Sequence, residues 1–329
     1  MKKWITGALA ILLGVVSIGI PFSGVHEAEA KTTDDKLKIV TTIFPEYEWT
    51  RAVLGECESE AELTMLLDNG TDLHSFQPAV KDIMEVSSCD LLIYVGGESD
   101  AWIEDALKSA QNKDMKTINL MEVLGDTIRE EETVEGMQGD EHEHDDEHDE
   151  EEYDEHVWTS LRNASAVCEA IADTLEEMDP ENKDTYQENA QNYEAKLFSL
   201  DKEYQKTADS AKLNTLIFAD RFPFRYLVDD YGLNYYAAFS GCSAESEASF
   251  KTVTFLAEKV DELGVNSVLT IEKSDDRIAQ TVIENTKTKN QSIHELNSMQ
   301  SITSEEIKNG VTYLSVMEDN LKVLQEVLN

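Results

Sequence analysis

Basic residues are scarce in this chain. Only 27 Lys and Arg stand against 68 Asp and Glu, giving a formal net charge of −41 over 329 residues. Such a surface repels nucleic acid and anionic lipid headgroups over long range, and it attracts cations. Solubility accounts for an acidic surface equally well, so charge alone does not choose between cation capture and solvation. Long apolar runs are also scarce. One, from Trp4 to about Ile20, follows Lys2 and Lys3 and precedes the small-x-small site Ala28-Glu29-Ala30. Residues 1–30 are therefore expected to be a signal peptide cleaved before Lys31. The run also approaches the ~20 residues of a membrane helix, so an uncleaved anchor is the alternative. Either way the chain is expected to cross the cytoplasmic membrane and to stay periplasmic or at the cell surface. No cysteine adjoins the cleavage site, so the lipid-anchoring pattern is missing. The four cysteines, Cys57, Cys89, Cys168 and Cys242, fit no zinc-ribbon spacing, and none is assigned to metal. Three disulfide pairings stay open for them. Also missing are a His-Glu-x-x-His helix, a Gly-x-Ser-x-Gly turn and a phosphate loop, which weighs against a hydrolase.

What is present is an alternation of strands and helices. Strands are expected at 37–44, 62–67, 90–95 and 116–120. Helices are expected at 46–54, 78–86 and 101–110 between them. Glu130 to Glu155 then breaks the rhythm: almost without apolar residues, it reads as a solvated loop. A helix at 159–178 follows, then Asp179-Pro180, with Pro180 placed in the first turn of a helix that runs to about Ser210. That helix is long enough, at about 45 Å, to pass along two lobes. Strands at 215–218, 235–239 and 267–271 alternate with helices at 222–231, 249–263 and 277–286, and a helix at 312–328 ends the chain. The expected architecture is α/β: two lobes with parallel-type sheets, residues 31–158 and 211–329, bridged by helices within 159–210.

In open α/β sheets, ligands sit at the carboxyl ends of the strands. Four chemically capable residues follow strands there or the acidic loop: His74, His156, Asp220 and Glu272. Imidazole and carboxylate are zinc ligands, and two from each half place a metal in the cleft between lobes. Each has an ordinary use as well. A loop histidine is commonly structural, Asp220 can equally pair with Arg221 or Arg225 or cap the next helix, and Glu272 can serve as a first-turn carboxylate. The acidic loop tips the balance. His142, His144 and His148 alternate with carboxylates there, a composition that makes a flexible auxiliary chelator.

Four segments carry a resemblance: Gly70-Thr71-Asp72-Leu73-His74-Ser75-Phe76-Gln77-Pro78, Asp154-Glu155-His156-Val157-Trp158, Tyr226-Leu227-Val228-Asp229-Asp230-Tyr231-Gly232-Leu233 and Val268-Leu269-Thr270-Ile271-Glu272. Together with the histidine-rich loop, they resemble the solute-binding proteins of zinc and manganese ABC transporters, the zinc-uptake branch in particular. The resemblance implies two lobes with little hinge movement. It also implies Zn2+, or alternatively Mn2+, held by three or four side chains and delivered to a membrane permease, and a monomer without catalysis. His74 and His156 match the first two ligands. The third family position is Arg221 here, which stays protonated and cannot ligate, so Asp220 is the expected replacement. Arg221 is then a residue that pairs with and orients a carboxylate. Glu272 is the expected fourth ligand, with Asp275 or Asp276 as fallback. A zinc hydrolase and a metal-buffering or adhesive surface protein on the same fold are the alternatives.

Overall fold

The computed structural model describes residues 36–139, 152–243 and 247–329. The expected signal segment and His142, His144 and His148 lie outside the described residues. In the first half, β1 (Leu37–Thr41), β2 (Ala61–Met65), β3 (Leu91–Tyr94) and β4 (Lys116–Asn119) form a parallel sheet in the order β2-β1-β3-β4. Helices α1 (Phe44–Leu54), α2 (Val80–Ser88), α3 (Ala101–Lys108) and α4 (Leu120–Leu124) connect and cover it. In the second half, β5 (Thr215–Phe222), β6 (Asn234–Ser240), β7 (Ser267–Ile271) and β8 (Ser292–Leu296) form a second parallel sheet, β6-β5-β7-β8. Its helices are α7 (Arg225–Tyr231), α8 (Phe250–Leu263), α9 (Arg277–Asn285), α10 (Ser304–Lys308) and α11 (Tyr313–Val327). Two α/β lobes thus share one strand order, and each has its switch point beside the first strand of its sheet. Leu91, Leu92 and Ile93 in β3, and Leu216 to Ala219 in β5, are buried without alternation. Strands covered by helices on both faces read this way.

Between the lobes, α5 (Leu161–Met178) leads to α6 (Lys183–Ser210), 28 residues and about 42 Å long. Helix α6 touches α1 in one lobe and α7 and α11 in the other. Asn189 donates to the Val53 carbonyl at 3.1 Å, and Tyr204 to the Met317 carbonyl at 2.6 Å. The first of these contacts needs glycine: a Cβ on Gly55, at φ +53°, would meet Asn189 Nδ2 at 2.3 Å. Apolar residues of the first lobe, α5, α6, α11 and the inner face of the second sheet belong to one buried cluster.

Several boundaries differ from expectation for identifiable reasons. The first strand ends at Thr41, because Phe44-Pro45 open α1 and Glu46 accepts the Thr42 and Ile43 amides at 2.8 and 3.2 Å. Pro180 stands in a turn before α6, where Asp179 accepts from Asn182 and Tyr186. Strand β5 runs four residues further than expected, through an irregularity between Phe218 and Arg221. Strand β8 was not anticipated; it is short and largely polar at the sheet edge. Nor is the whole of 130–155 a solvated loop. Glu131 pairs with Glu152 and Asp154 with Arg129 through the backbone, and Asp154 and Glu155 are buried.

One buried acid links fold to pH. Asp100, 2% exposed, accepts the Val95 and Gly96 amides and so shapes the turn from β3 into α3. Burial above all, with Glu155 adding to it, pushes its carboxyl up to about 7 from 3.8. The folded state therefore keeps a proton that the unfolded chain releases, and this contribution to stability falls as pH rises from 3.8 to about 7. Asp100→Asn is expected to flatten that slope. In urea melts at pH 5 and pH 8, the wild type should lose more stability than the variant over the interval. Parallel losses would show that Asp100 is not the group responsible.

Candidate metal centre

The carboxyl ends of both sheets face one cleft, and the site is built from the turns that leave them. After β2, Asp72 caps a single 3₁₀ turn, Leu73–Ser75, its carboxylate accepting the His74 amide at 3.0 Å. Leu73 is buried and anchors the turn. After β3, the turn that Asp100 shapes presents Ser99, whose hydroxyl lies 2.8 Å from His74 Nδ1. Behind it, Glu155 Oε1 accepts the Ser99 amide at 2.9 Å, while Oε2 is buried without a hydrogen-bond partner, 3.9 Å from His74 Nδ1.

His156 is fully buried and belongs to the segment that returns from the acidic loop. Asp154 Oδ1 accepts both its amide, at 2.8 Å, and its Nδ1–H, at 3.0 Å. A carboxylate accepting from Nδ1 leaves the Nε2 lone pair free, the arrangement that orients a metal-binding imidazole. Asp154 is itself held from the opposite lobe, where Tyr226 on α7 donates to its carbonyl at 2.7 Å. Trp158 packs tilted against the ring and donates to the Ser298 carbonyl at 2.8 Å.

The two imidazoles meet head to head, Nε2 to Nε2, at 3.0 Å. Burial, then the neighbouring His156 charge, holds His74 down at about 3. Burial opposes charge on His156 too, but Asp154, with Glu155 and Asp72, outweighs it and raises that ring. The pair thus accommodates one positive charge between two nitrogens. A tetrahedral zinc with Zn–N of 2.0–2.1 Å holds two such nitrogens ~3.3 Å apart, so little movement separates this pair from a chelate.

Among the described residues, His74, His156 and Cys242 form the group whose ligand atoms all lie within 4.8 Å of one another. Cys242 follows β6, as His74 follows β2. Burial, with Glu131, Asp154 and Glu155 nearby, pushes its thiol well up. Gly241 lets the β6 turn approach: a Cβ there would meet His156 Cε1 at 2.7 Å and the Phe222 carbonyl at 3.0 Å.

The expected carboxylates do not join that group among the described residues. Asp220 lies in the irregular stretch of β5, where Oδ1 accepts the Arg221 amide at 2.8 Å and Oδ2 the Ser274 hydroxyl at 2.7 Å. Glu272 is buried and accepts four donors: the Ser298 amide and hydroxyl, both at 2.8 Å, the Gln300 amide at 3.1 Å and the Ser301 hydroxyl at 3.4 Å. A carboxylate so bonded organises the 298–301 turn, and through the Ser298 carbonyl it supports Trp158 beside His156. Asp275 is exposed, paired with Arg277 at 2.5 Å; Asp276 bonds Thr270 at 3.2 Å. Arg221 pairs with Asp72 across the cleft at 2.6 Å. The Arg221 guanidinium thereby helps hold the Asp72 carboxyl below its ordinary value, and Asp72 in turn fixes the His74 turn.

Residues 39–327 match the family model of ZnuA, the zinc-uptake complex component A, periplasmic. The chain belongs to the ZnuA family. It is 34% identical over 300 residues to the zinc-binding lipoprotein AdcA of Streptococcus pneumoniae (strain ATCC BAA-255 / R6), covering 90% of this chain and 56% of that protein. It is 27% identical over 332 residues to the high-affinity zinc uptake system protein ZnuA of Bacillus subtilis, covering 99% and 98%. The crystal structure of the Zn(II)-bound ZnuA-like domain of S. pneumoniae AdcA superposes with a TM-score of 0.70 at 30% identity, covering 89% of this chain and 99% of that domain. The chain spans 56–61% of the length of the AdcA proteins it matches.

Gly241 gives a steric test of this candidate site. Gly241→Ala is expected to leave the far-UV circular dichroism unchanged and to weaken zinc binding by about 10-fold or more in a chelator competition, because the methyl displaces the His156 ring. Unchanged affinity would show that the ring position does not matter to binding.

Proposed function

We infer that this chain is the extracytoplasmic solute-binding component of a metal ABC transporter. It captures Zn2+ in the cleft between the lobes and delivers it to the membrane permease of the same system. The observation that carries this reading is the pair of the half-buried His74 and the fully buried His156. Their Nε2 atoms converge at 3.0 Å, while Ser99 and Asp154 engage both Nδ1 atoms from behind. Zinc is the cargo, so the site's task is to bind and to release. Family membership, and relatives named for zinc binding and zinc uptake, support the choice of ion and the coupling to transport. They also favour a binding protein over a hydrolase. No helix among the described residues is long and apolar enough to cross a membrane.

Many ties across the cleft support a frame that changes little on binding. Asn69 bridges Thr303, Ser304 donates to the Asp68 carbonyl at 2.8 Å, Arg221 pairs with Asp72, and Tyr226 holds Asp154. Release then depends on local movement of the turns that carry the ligands.

Purified protein is expected to carry about one tightly held zinc per chain by plasma mass spectrometry. His74→Ala combined with His156→Ala should abolish it. If the double variant retains a stoichiometric zinc that resists dialysis against a chelator, the cargo site lies elsewhere.

A further inference from the structure

We propose that Cys242 is the third metal ligand of this chain, so that the cargo site is a two-histidine, one-thiolate site selecting zinc and similar thiophilic ions over manganese. This rests on the reading of His74 and His156 as the cargo site, and it deepens that reading by naming what sets ion preference. Three observations carry it. Cys242 Sγ lies within 4.8 Å of nitrogens on both histidines, and no carboxylate among the described residues joins that group. The two expected carboxylates are engaged elsewhere, Asp220 with Ser274 and Glu272 with the 298–301 turn. The β6 turn is built for close approach, since Gly241 rests against the His156 ring where any side chain would collide.

The geometry explains how a ligand can be absent from β5 yet present in the site. Strands β5 and β6 are neighbours, with Arg221 opposite Phe239 and Phe222 opposite Ser240. Residues leaving β6 therefore emerge beside the end of β5. The donor moves one strand over, and Arg221 serves instead to hold Asp72. Zinc accepts a thiolate at ~2.3 Å and two imidazoles in one tetrahedron, whereas Mn2+ favours carboxylate, carbonyl and water oxygens. On capture, the Cys242 S–H bond breaks, an S–metal bond forms, and the proton leaves to solvent.

Cadmium and cobalt report thiolate ligation directly, because sulfur-to-metal charge transfer absorbs in the ultraviolet, at longer wavelength for cobalt than for cadmium. Cd2+ or Co2+ added to the wild-type protein should produce this band. It should be lost in Cys242→Ser, and also in the His74→Ala plus His156→Ala variant. Cys57, Cys89 and Cys168 remain in every variant, so the band is assigned to Cys242 by its loss. Zinc affinity of Cys242→Ser should drop about 100-fold, and Mn2+ at 100-fold excess should fail to displace zinc from the wild type. As a check independent of the variant's folding, bound zinc should protect Cys242 of the wild type from iodoacetamide, read by peptide mass mapping.

Histidine-dependent metal binding without the band or the protection would overturn the thiolate ligand and leave the cargo site standing. Metal binding that survives loss of both histidines would overturn both.

Discussion

Two imidazole Nε2 atoms that meet at 3.0 Å in a largely buried setting need a hydrogen between them or a metal ion in front of them. One ring's N–H serves in the empty site and a metal ion replaces it, and the surroundings prepare that exchange. Asp154 takes the Nδ1–H of His156 and so fixes its Nε2 as an acceptor toward the cleft. Ser99, backed by Glu155, holds the His74 ring at its Nδ1. The carboxylates behind the rings make the pocket negative without competing for the ion in front. Much of the remaining structure supports this juxtaposition. His74 comes from one lobe, its turn is fixed by Asp72, and Asp72 is held by Arg221 from the other. His156 is likewise fixed by Asp154, which Tyr226 holds across the cleft.

This cross-bracing explains why the lobes need a long common helix. If the lobes hinged freely, the braces that Arg221 and Tyr226 supply from the second lobe would be lost, and the turns that carry His74 and His156 would lose their fixed positions. Helix α6 hydrogen-bonds to α1 in one lobe and to α11 in the other. The Trp158 indole and the Tyr313 hydroxyl, which donates to the Trp158 carbonyl at 2.8 Å, tie the His156 segment to the second lobe's interior. Buried hydrogen bonds of this kind stabilise modestly when made and cost more when one partner is lost. Their value here is positional.

Much of the architecture was legible in the sequence. Parallel strands buried on both faces announce themselves as uninterrupted apolar runs, and β3, β5 and β7 are of that kind. Strand β8 escaped because Ser292-Ile293-His294-Glu295-Leu296 is an edge strand with few buried positions. His74 and His156 were legible because they follow a strand or a loop in motif-rich segments. Position at a strand end, however, locates a residue without fixing its direction. Asp220 meets that criterion, but the irregularity in β5 aims it at Ser274. Glu272 meets it too, but it lies deep enough to collect four donors from a turn some 26 residues on, a contact that no local pattern reveals. Cys242 meets the same criterion after β6. It was passed over because a single cysteine lacks the paired spacing that marks metal sites in sequence.

The exchange of Arg221 and Cys242 is best understood as one coupled change. An arginine at the position where the resemblance expects a ligand brings a fixed positive charge to a cation site, which is tolerable only if the guanidinium is neutralised. Asp72 does this at 2.6 Å, and the pairing reinforces the His74 turn. A donor lost from β5 must be supplied by a neighbouring strand end, and β6 is the adjacent strand. A cysteine there needs its preceding residue to be small enough to pass the His156 ring, which Gly241 provides. Charge balance follows the same logic. A thiolate offsets one unit of the ion's charge at close range, where a neutral imidazole would offset none, and the Arg221–Asp72 pair contributes nothing net. Arginine, aspartate, glycine and cysteine thus constrain one another across three turns. A change at Gly241 or Asp72 should therefore disturb the site as surely as a change in a ligand.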